Sequence, residues 1–212
     1  MSATENTIRI VRAMAAAMEE NRQHLTQLDS AIGDADHGTN LHRGFQAALE
    51  KLNSSEFGTP GEVLKAVSTA LIGKVGGAAG PLYGTAFLRA ATAVGDKEEL
   101  SPEDVAAALE AALEGIKQRG KAEVGEKTIV DALSPAAAAA RERAAGGGSS
   151  AAEVLRAAAA AAREGVDSTV ELRAKKGRAA YLGQRSVGHP DPGAASTHLL
   201  LEAAASELEG GA

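Results

Sequence analysis

The segment DSAIGDADHGTN, Asp29 to Asn40, separates two stretches in which apolar residues recur every three or four positions. The first stretch runs from about Thr4 to Asn21, and the second begins near Thr39 or Asn40 and includes Leu41 and Phe45. This spacing gives a helix one apolar face. The segment is therefore predicted to be a loop that joins two helices.

The same alternation of periodic stretches and turn-rich junctions continues along the chain and predicts eight helices. After the first two, the predicted helices are Thr59–Ile72, a fourth ending near Val94, Ser101–Gln118, Thr128–Ala145, Ala151–Leu172 and Pro192–Glu209. Unusual glycine-bearing loops fall at every second junction: one to two, three to four, five to six and seven to eight. In an up-and-down array those four junctions lie at the same end. We therefore expect one site there.

The composition favours helices packed on helices. The chain has 212 residues, of which 48 are alanine, and aromatic residues make up only 2%. Alanine is the strongest intrinsic helix former, and small side chains let helices approach closely, whereas β-branched runs typical of sheets are scarce. The expected class is all-α, with a single domain over residues 1–212.

Charge and hydropathy exclude several functions. A net charge of −6 gives no general attraction to nucleic acid or to anionic membranes. Apolar runs are too short for a transmembrane helix, and the N-terminus lacks the basic flank of a signal peptide. We expect a cytoplasmic protein. The absence of cysteine also excludes thiol catalysis and disulfides.

Asp29, Asp34 and Asp36 are candidate metal ligands. Their oxygens suit Mg²⁺ or Ca²⁺ and not zinc, whose sites favour His and Cys. A calcium-binding EF-hand loop from Asp34 would need Glu at its twelfth position, which is Phe45. The interpretation that remains is a site for Mg²⁺ together with substrate phosphates, which would bind at the start of the following helix. The alternative is an acidic, solvated turn with a helix cap.

A phosphoryl-transfer site also needs amide N–H groups around the phosphates and a nearby cation. The helix start at Gly38 to Asn40 is a candidate for the first, and Arg178 or Lys176 for the second. His37 has three open roles: a phosphate contact, a phosphorylated nucleophile, or a group that orients its neighbours. The chain contains no Walker motif and no kinase-type glycine loop, which excludes those two folds.

Four blocks of sequence resemble the nucleotide-binding L subunits of dihydroxyacetone kinases. The blocks, in family order, are IGDADHGTN from Ile32, GGAAGPLYGTAF from Gly76, RGKAEVGEKTIVDAL from Arg119 and KGRAAYLGQRSVGHPDPGAAS from Lys176. They cover almost the whole chain. The resemblance implies an eight-helix antiparallel up-and-down barrel with ADP or ATP and two Mg²⁺ ions at one end.

The resemblance also implies roles for individual residues. Asp29, Asp34 and Asp36 match the family's magnesium ligands. The positions matched around the nucleotide are His37, Gly38, Thr39, Asn40, Ala78, Ala79, Gly120, Ile129, Arg178, Asp191, Pro192 and Gly193. Ala79 stands where the family often has serine, and Ile129 replaces a frequent methionine beside the adenine. No catalytic residue is assigned with certainty on this chain.

The implied reaction is shared with a partner. In this family a histidine of a separate K subunit or domain holds the ketose covalently, and this chain has no matching block. The γ-phosphoryl group would pass to dihydroxyacetone on that partner. In the leading interpretation, bound ADP is rephosphorylated by an M-type, phosphohistidine-carrying protein of the phosphoenolpyruvate-dependent phosphotransferase system. A second copy of this chain is a further candidate partner.

Two alternatives stay open at the level of sequence. The first is an ATP-dependent kinase subunit for another short ketose or sugar, in which ATP exchanges as a substrate. The second is a nucleotide-sensing module that contacts a transcription regulator. The intact metal ligands and Arg178 favour a catalytic role over sensing alone.

Overall fold

The computed structural model describes residues 2–210; Met1, Gly211 and Ala212 lie outside the described residues. Nine α-helices and two 3-10 helices, Thr169–Glu171 and Arg178–Ser186, account for the regular structure of the described part, which contains no strand. The α-helices are α1 Ala3–Glu20, α2 Arg22–Ile32, α3 His37–Ser54, α4 Pro60–Lys74, α5 Ala79–Val94, α6 Pro102–Gly120, α7 Ile129–Ala145, α8 Ala151–Ser168 and α9 Pro192–Gly210. The predicted all-α class is confirmed.

Eight of these helices form a closed ring. α1 packs against α3, each helix from α3 to α9 packs against the next, and α9 packs back against α1. α2 is the additional element, and it packs against α3, α9 and the 3-10 helix Arg178–Ser186. The predicted up-and-down order is thus present, with one extra helix at its first junction.

The prediction that Asp29 to Asn40 is a loop was wrong at both ends. Asp29 lies in the last turn of α2, and His37 already begins α3, so residues 33–36 alone connect the two helices. The prediction of one helix from Ala151 to Leu172 was also too long. α8 ends at Ser168 and continues as the 3-10 helix Thr169–Glu171.

Polar caps define most helix starts, as the sequence indicates. Thr59 accepts a hydrogen bond from the Glu62 amide ahead of Pro60, and Ser101 forms a reciprocal capping box with Asp104. Ser2, Thr128 and Ser150 form capping boxes of the same kind at α1, α7 and α8. These bonds satisfy amides that a helix leaves unpaired in its first turn.

Small residues bring the helices close together. At Gly165 of α8, an added Cβ would lie 2.4 Å from the carbonyl oxygen of Asp131 in α7. Ala136 and Ala140 of α7 and Ala158 of α8 are fully buried in the same pair of packed helices. The barrel interior also contains an apolar cavity of about 430 Å³. Among the described residues, no helix has the length and apolar character needed to cross a bilayer.

Candidate functional site

The four unusual junctions meet at one end of the barrel. They surround a cavity of about 480 Å³ whose lining comes from the junctions α2–α3, α4–α5, α6–α7 and α8–α9. Thirteen of the fifteen residues predicted from the sequence line it: Asp29, Asp34, Asp36, His37, Asn40, Ala78, Ala79, Gly120, Ile129, Arg178, Asp191, Pro192 and Gly193. The predicted convergence of these loops is therefore confirmed.

Gly38 and Thr39 are the two predicted residues outside the lining. Gly38 is buried against α2, where an added Cβ would lie 2.1 Å from the Arg22 carbonyl oxygen. Thr39 is exposed. Gly38 thus permits the close crossing of α2 and α3, and a ligand role for these two residues stays a prediction.

The three predicted metal ligands form a compact cluster. One carboxylate oxygen from each of Asp29, Asp34 and Asp36 lies within 4.8 Å of the other two. Asp29 is buried, and its Oδ2 accepts hydrogen bonds from the amides of Asp36 at 2.9 Å and His37 at 3.1 Å. The end of α2 therefore orients the loop that carries the other two carboxylates.

Gly33 leaves room for this arrangement. An added Cβ at Gly33 would lie 2.0 Å from Oδ1 of Asp29, which is shorter than any non-bonded contact allows. A side chain at position 33 would displace the buried carboxylate. Glycine is therefore required here by close approach.

Backbone strain is concentrated at the same end. Within the described residues, the non-glycine residues with positive φ are Ala35, Lys121 and Lys127, with φ of 60°, 51° and 62°. Ala35 lies between two of the clustered aspartates, and both lysines belong to the α6–α7 junction. Such conformations cost energy and recur at functional sites, where the surrounding structure enforces them.

His37 is held by the barrel core. Its Nε2 lies 2.9 Å from Oγ of Ser196, whose hydroxyl also contacts the buried Tyr83 hydroxyl at 2.7 Å. Burial lowers the pKa of His37, against the opposing effects of nearby carboxylates and a hydrogen bond to the backbone of Pro192. Since Pro192 has no N–H, the ring donates to its carbonyl oxygen. These contacts favour the orienting role over the nucleophile.

Two helices begin at the cavity without a cap from the side chain of their N-cap residue. In α3 and α5 the side chains of the N-cap residues, Asp36 and Ala78, accept no hydrogen bond from the first turn. In α3 the amide of His37 donates to Asp29 instead. Their first turns contribute His37, Asn40 and Ala79 to the lining. Uncapped amides and the helix dipole together attract anions such as phosphate.

The α8–α9 junction covers one side of the cavity. We call Leu172–His189 the closing segment; it contributes Lys176, Gly177, Arg178 and Ala179 to the lining. Arg178 Nε lies 2.8 Å from Oδ2 of Asp34, across the cavity mouth. The predicted cation thus lies beside a predicted metal ligand, and Lys176, its predicted alternative, also lines the cavity.

Asp191 follows the closing segment and caps α9. Its Oδ2 accepts a hydrogen bond from the Ala194 amide at 2.7 Å, and its own amide donates to Oγ1 of Thr169. Desolvation raises the pKa of Asp191 to about 7; Asp131 adds to this effect, and Lys127 and the helix amides oppose it. Asp191 is therefore poised to change charge near neutral pH.

Sequence reasoning missed Lys127. This lysine lines the cavity, yet only 1% of its surface is exposed. Its ammonium Nζ donates to the carbonyl oxygens of Thr169, Leu172 and His189. A lysine in a polar loop is normally solvated, so the sequence GEKT gave no signal of burial.

The chemistry of the lining is consistent with a nucleotide and a hard cation. Three clustered carboxylates suit Mg²⁺, the two uncapped helix starts suit phosphates, and apolar Leu82, Ala122 and Ile129 offer a surface for a base. When bound, the cation would neutralise phosphate charge. The residues that would hold it are Asp29, Asp34 and Asp36.

Comparison with known proteins agrees with this geometry. The family model described as the DAK2 domain matches residues 31–206. The ADP-binding subunit DhaL of PEP-dependent dihydroxyacetone kinase 1 from Listeria innocua is 41% identical over 186 residues, covering 88% of this chain and 87% of that protein. The ADP-binding subunit DhaL of PEP-dependent dihydroxyacetone kinase from Escherichia coli K12 is also 41% identical, covering 85% of each chain.

The fold has a counterpart among solved structures. The native crystal structure of the dihydroxyacetone kinase of C. freundii superposes with a TM-score of 0.73 at 24% identity. The match covers 97% of this chain and 35% of that one, so the chain spans about a third of the larger enzyme. At this identity the likeness shows the fold alone, while the closer sequence matches show the family. The chain belongs to the DAK2 domain family, among its DhaL-type subunits.

Proposed function

We propose that this chain is the ADP- and Mg²⁺-binding subunit of a phosphoenolpyruvate-dependent dihydroxyacetone kinase. The observation that carries the proposal is the cluster of Asp29, Asp34 and Asp36, whose ligand atoms lie within 4.8 Å of one another at the start of α3. The relatives matched over most of their length are ADP-binding subunits of PEP- or PTS-dependent dihydroxyacetone kinases. The function is thus supported by both chemistry and family.

The donor set fits Mg²⁺. Mg²⁺ binds through one or two carboxylates together with phosphate oxygens and water. Gly33 preserves the position of Asp29, and the amides of Asp36 and His37 orient it. We propose two Mg²⁺ ions, as the family resemblance implies. A dihydroxyacetone kinase of the same fold, from C. freundii, has been crystallised in complex with AMP-PNP and Mg²⁺.

The phosphoryl acceptor lies on another chain in this proposal. The bond between the γ-phosphorus and the β-phosphate oxygen breaks, and a bond from that phosphorus to a hydroxyl oxygen of dihydroxyacetone forms. The hydroxyl proton is released to solvent, and ADP remains on this subunit. This chain binds and orients the donor, and Arg178 supplies positive charge at the mouth of the cavity. A K subunit holds the ketose, and an M-type phosphotransferase protein restores the donor.

Another short ketose is the main competing substrate. An L-erythrulose kinase of Pectobacterium atrosepticum is 32% identical, but this chain covers only 32% of its length. The full-length matches are separate ADP-binding subunits, which favours the phosphoenolpyruvate-dependent route over the larger kinases. A direct test is to compare dihydroxyacetone and erythrulose as acceptors in the reconstituted system.

The nucleotide retained by the natively purified protein distinguishes these routes. Mass spectrometry of the denatured protein identifies the nucleotide, and labelled ATP tests whether it exchanges. Retained ADP that does not exchange, but becomes phosphorylated when phosphoenolpyruvate and the phosphotransferase proteins are added, supports the proposal. Rapid exchange with ATP supports the competitor, and binding of neither nucleotide nor Mg²⁺ overturns the site.

A further inference from the structure

Lys127 joins the two ends of the closing segment. Its ammonium donates to the carbonyl oxygens of Leu172 at 3.1 Å and His189 at 2.5 Å, which are the first and last residues of that segment. A third bond, 2.5 Å long, reaches the carbonyl oxygen of Thr169. A lysine ammonium has three protons, so its donor capacity is fully used.

These bonds form in a buried and strained setting. Lys127 has a left-handed backbone, and its side chain is shielded from water, so desolvation lowers its pKa while Asp191 and Asp131 oppose that effect. Buried carbonyl groups that lose their partner incur a desolvation cost. The arrangement therefore favours the state in which both ends of the closing segment stay against the α6–α7 junction.

Backbone bonds act beside Lys127 at the two ends of the segment, while the middle of the segment packs against α2, with Ala179 and Leu182 against Ile32. The Lys175 amide donates to the Glu126 carbonyl, and the Gly188 amide donates to the Val170 carbonyl. Between them, Arg178 reaches across the cavity mouth to Asp34. A nucleotide enclosed beneath Arg178 can leave when this segment moves away.

We infer that Lys127 is a positioning residue that keeps the closing segment over the nucleotide and so sets the rate of nucleotide release. This inference rests on the proposed nucleotide-binding function. It assigns slow exchange of the nucleotide to one buried ammonium in the α6–α7 junction. Because all three of its ammonium protons go to backbone carbonyl oxygens, Lys127 acts through the closing segment.

Lys127→Met tests the inference, because it keeps an unbranched side chain only one heavy atom shorter and removes the charge and all three donors. Lys175→Met is the matched control, since the Lys175 side chain is exposed on the same segment. Release of a fluorescent N-methylanthraniloyl ADP, chased with ADP, gives the dissociation rate. Hydrogen exchange of amides 172–189, read by mass spectrometry without nucleotide, reports opening of the segment.

Lys127→Met is expected to raise both rates at least about tenfold, as loss of a charge-assisted hydrogen bond implies. The association rate and the Lys175→Met control should stay near wild type. The inference is overturned if the Lys127→Met variant releases nucleotide at the wild-type rate. It is also overturned if release is faster but amide exchange of the segment is unchanged. If wild type binds no nucleotide, the proposed function fails while amide exchange still tests the role of Lys127.

Chemical rescue separates charge from packing. The chain has no cysteine, so Lys127→Cys introduces a single thiol. Alkylation with 2-bromoethylamine in denaturant, followed by refolding, restores an ammonium on a side chain of almost the same length as that of lysine. Slow release should return after alkylation, with wild type treated identically. If Lys127→Met and Lys127→Gln both fail to fold, Lys127 is a determinant of the global fold, and the inference is overturned.

Discussion

Arg178 Nε lies 2.8 Å from Oδ2 of Asp34, so a cation of the closing segment already neutralises one of the three clustered carboxylates. In the proposed function, Mg²⁺ and Arg178 would therefore compete for Asp34. A bound phosphate would give the guanidinium a second anionic partner, so the proposed binding of Mg²⁺ and of nucleotide would be coupled through Arg178.

Arg178→Ala is expected to affect Mg²⁺ and nucleotide in opposite directions. Mg²⁺ alone should bind more tightly, because Asp34 is freed, whereas phosphoryl transfer should fall about 10- to 100-fold with the loss of a stabilising charge. Since 69% of the Arg178 side chain is exposed, the free energy of unfolding should change by less than about 0.5 kcal/mol. Calorimetric titration of Mg²⁺ with and without ADP measures the change in Mg²⁺ affinity, and the rate of dihydroxyacetone phosphate formation in the reconstituted system measures the change in transfer. Weaker Mg²⁺ binding without ADP would contradict the competition.

Asp36→Ala should abolish tight, Mg²⁺-dependent binding of nucleotide while leaving the helices intact. The Asp36 side chain makes no capping bond to α3, so its loss removes a metal ligand without removing a helix cap. Calorimetry gives the affinity, and circular dichroism gives the helix content. Asp96→Ala, in the exposed α5–α6 junction, is the control. Global unfolding of Asp36→Ala would indicate a structural role instead.

Gly33→Ala should impair the same site through sterics alone. The added Cβ would lie 2.0 Å from Asp29 Oδ1, so the carboxylate must move, and overpacking of this kind costs about 1–3 kcal/mol. Mg²⁺-dependent nucleotide affinity should fall at least about tenfold. Gly73→Ala is the matched control, because no heavy atom lies within 4 Å of its added Cβ. That control should stabilise α4 by about 0.5–1 kcal/mol. Equal behaviour of the two variants in urea unfolding would disprove the close-contact argument.

Asp191 should make the free energy of unfolding depend on pH. Its pKa is raised to about 7 in the fold, against about 3.9 in the unfolded chain. Between these values the folded state binds more protons, so this contribution is present at pH 4 and is lost as the pH rises to 7. Asp191→Asn should remove it. Urea unfolding at several pH values checks the sign. From pH 4 to pH 7, the free energy of unfolding of the wild type should fall relative to that of the variant by on the order of 1 kcal/mol or more. A flat difference would refute the shifted pKa.

The sequence predicted the end of the barrel at which the site lies, because the unusual glycine-bearing loops fall at every second junction. Successive helices run in opposite directions, so these junctions share one end. It did not reveal α2, although Leu25, Asp29 and Ile32 are buried at helical spacing. One of these three positions carries Asp29, a candidate metal ligand, and this aspartate interrupts the apolar face of the helix. The turn at Asn21 between α1 and α2 also broke the periodicity.

The missed part of the site depends on tertiary contacts. Asp29, Asp34 and Asp36 could be predicted because carboxylates crowd a short segment. Lys127 could not, because its acceptors are backbone carbonyls more than forty positions away. Backbone groups leave no pattern in the side-chain sequence. For the same reason, the contact between His37 and Ser196 was visible only in the fold.

The pairing of α1 with α9 has a consequence for how the barrel assembles. The Arg9–Glu207 ion pair joins residues 198 positions apart, whereas the other helix pairs of the ring are close in chain order. Contacts between distant residues carry the greater entropic cost of chain closure and slow folding. The barrel is therefore expected to grow as an arc of helical hairpins and to close last between α1 and α9. Native-state hydrogen exchange should find α1 opening before α7 and α8, and simultaneous opening would show that the ring forms as one cooperative unit.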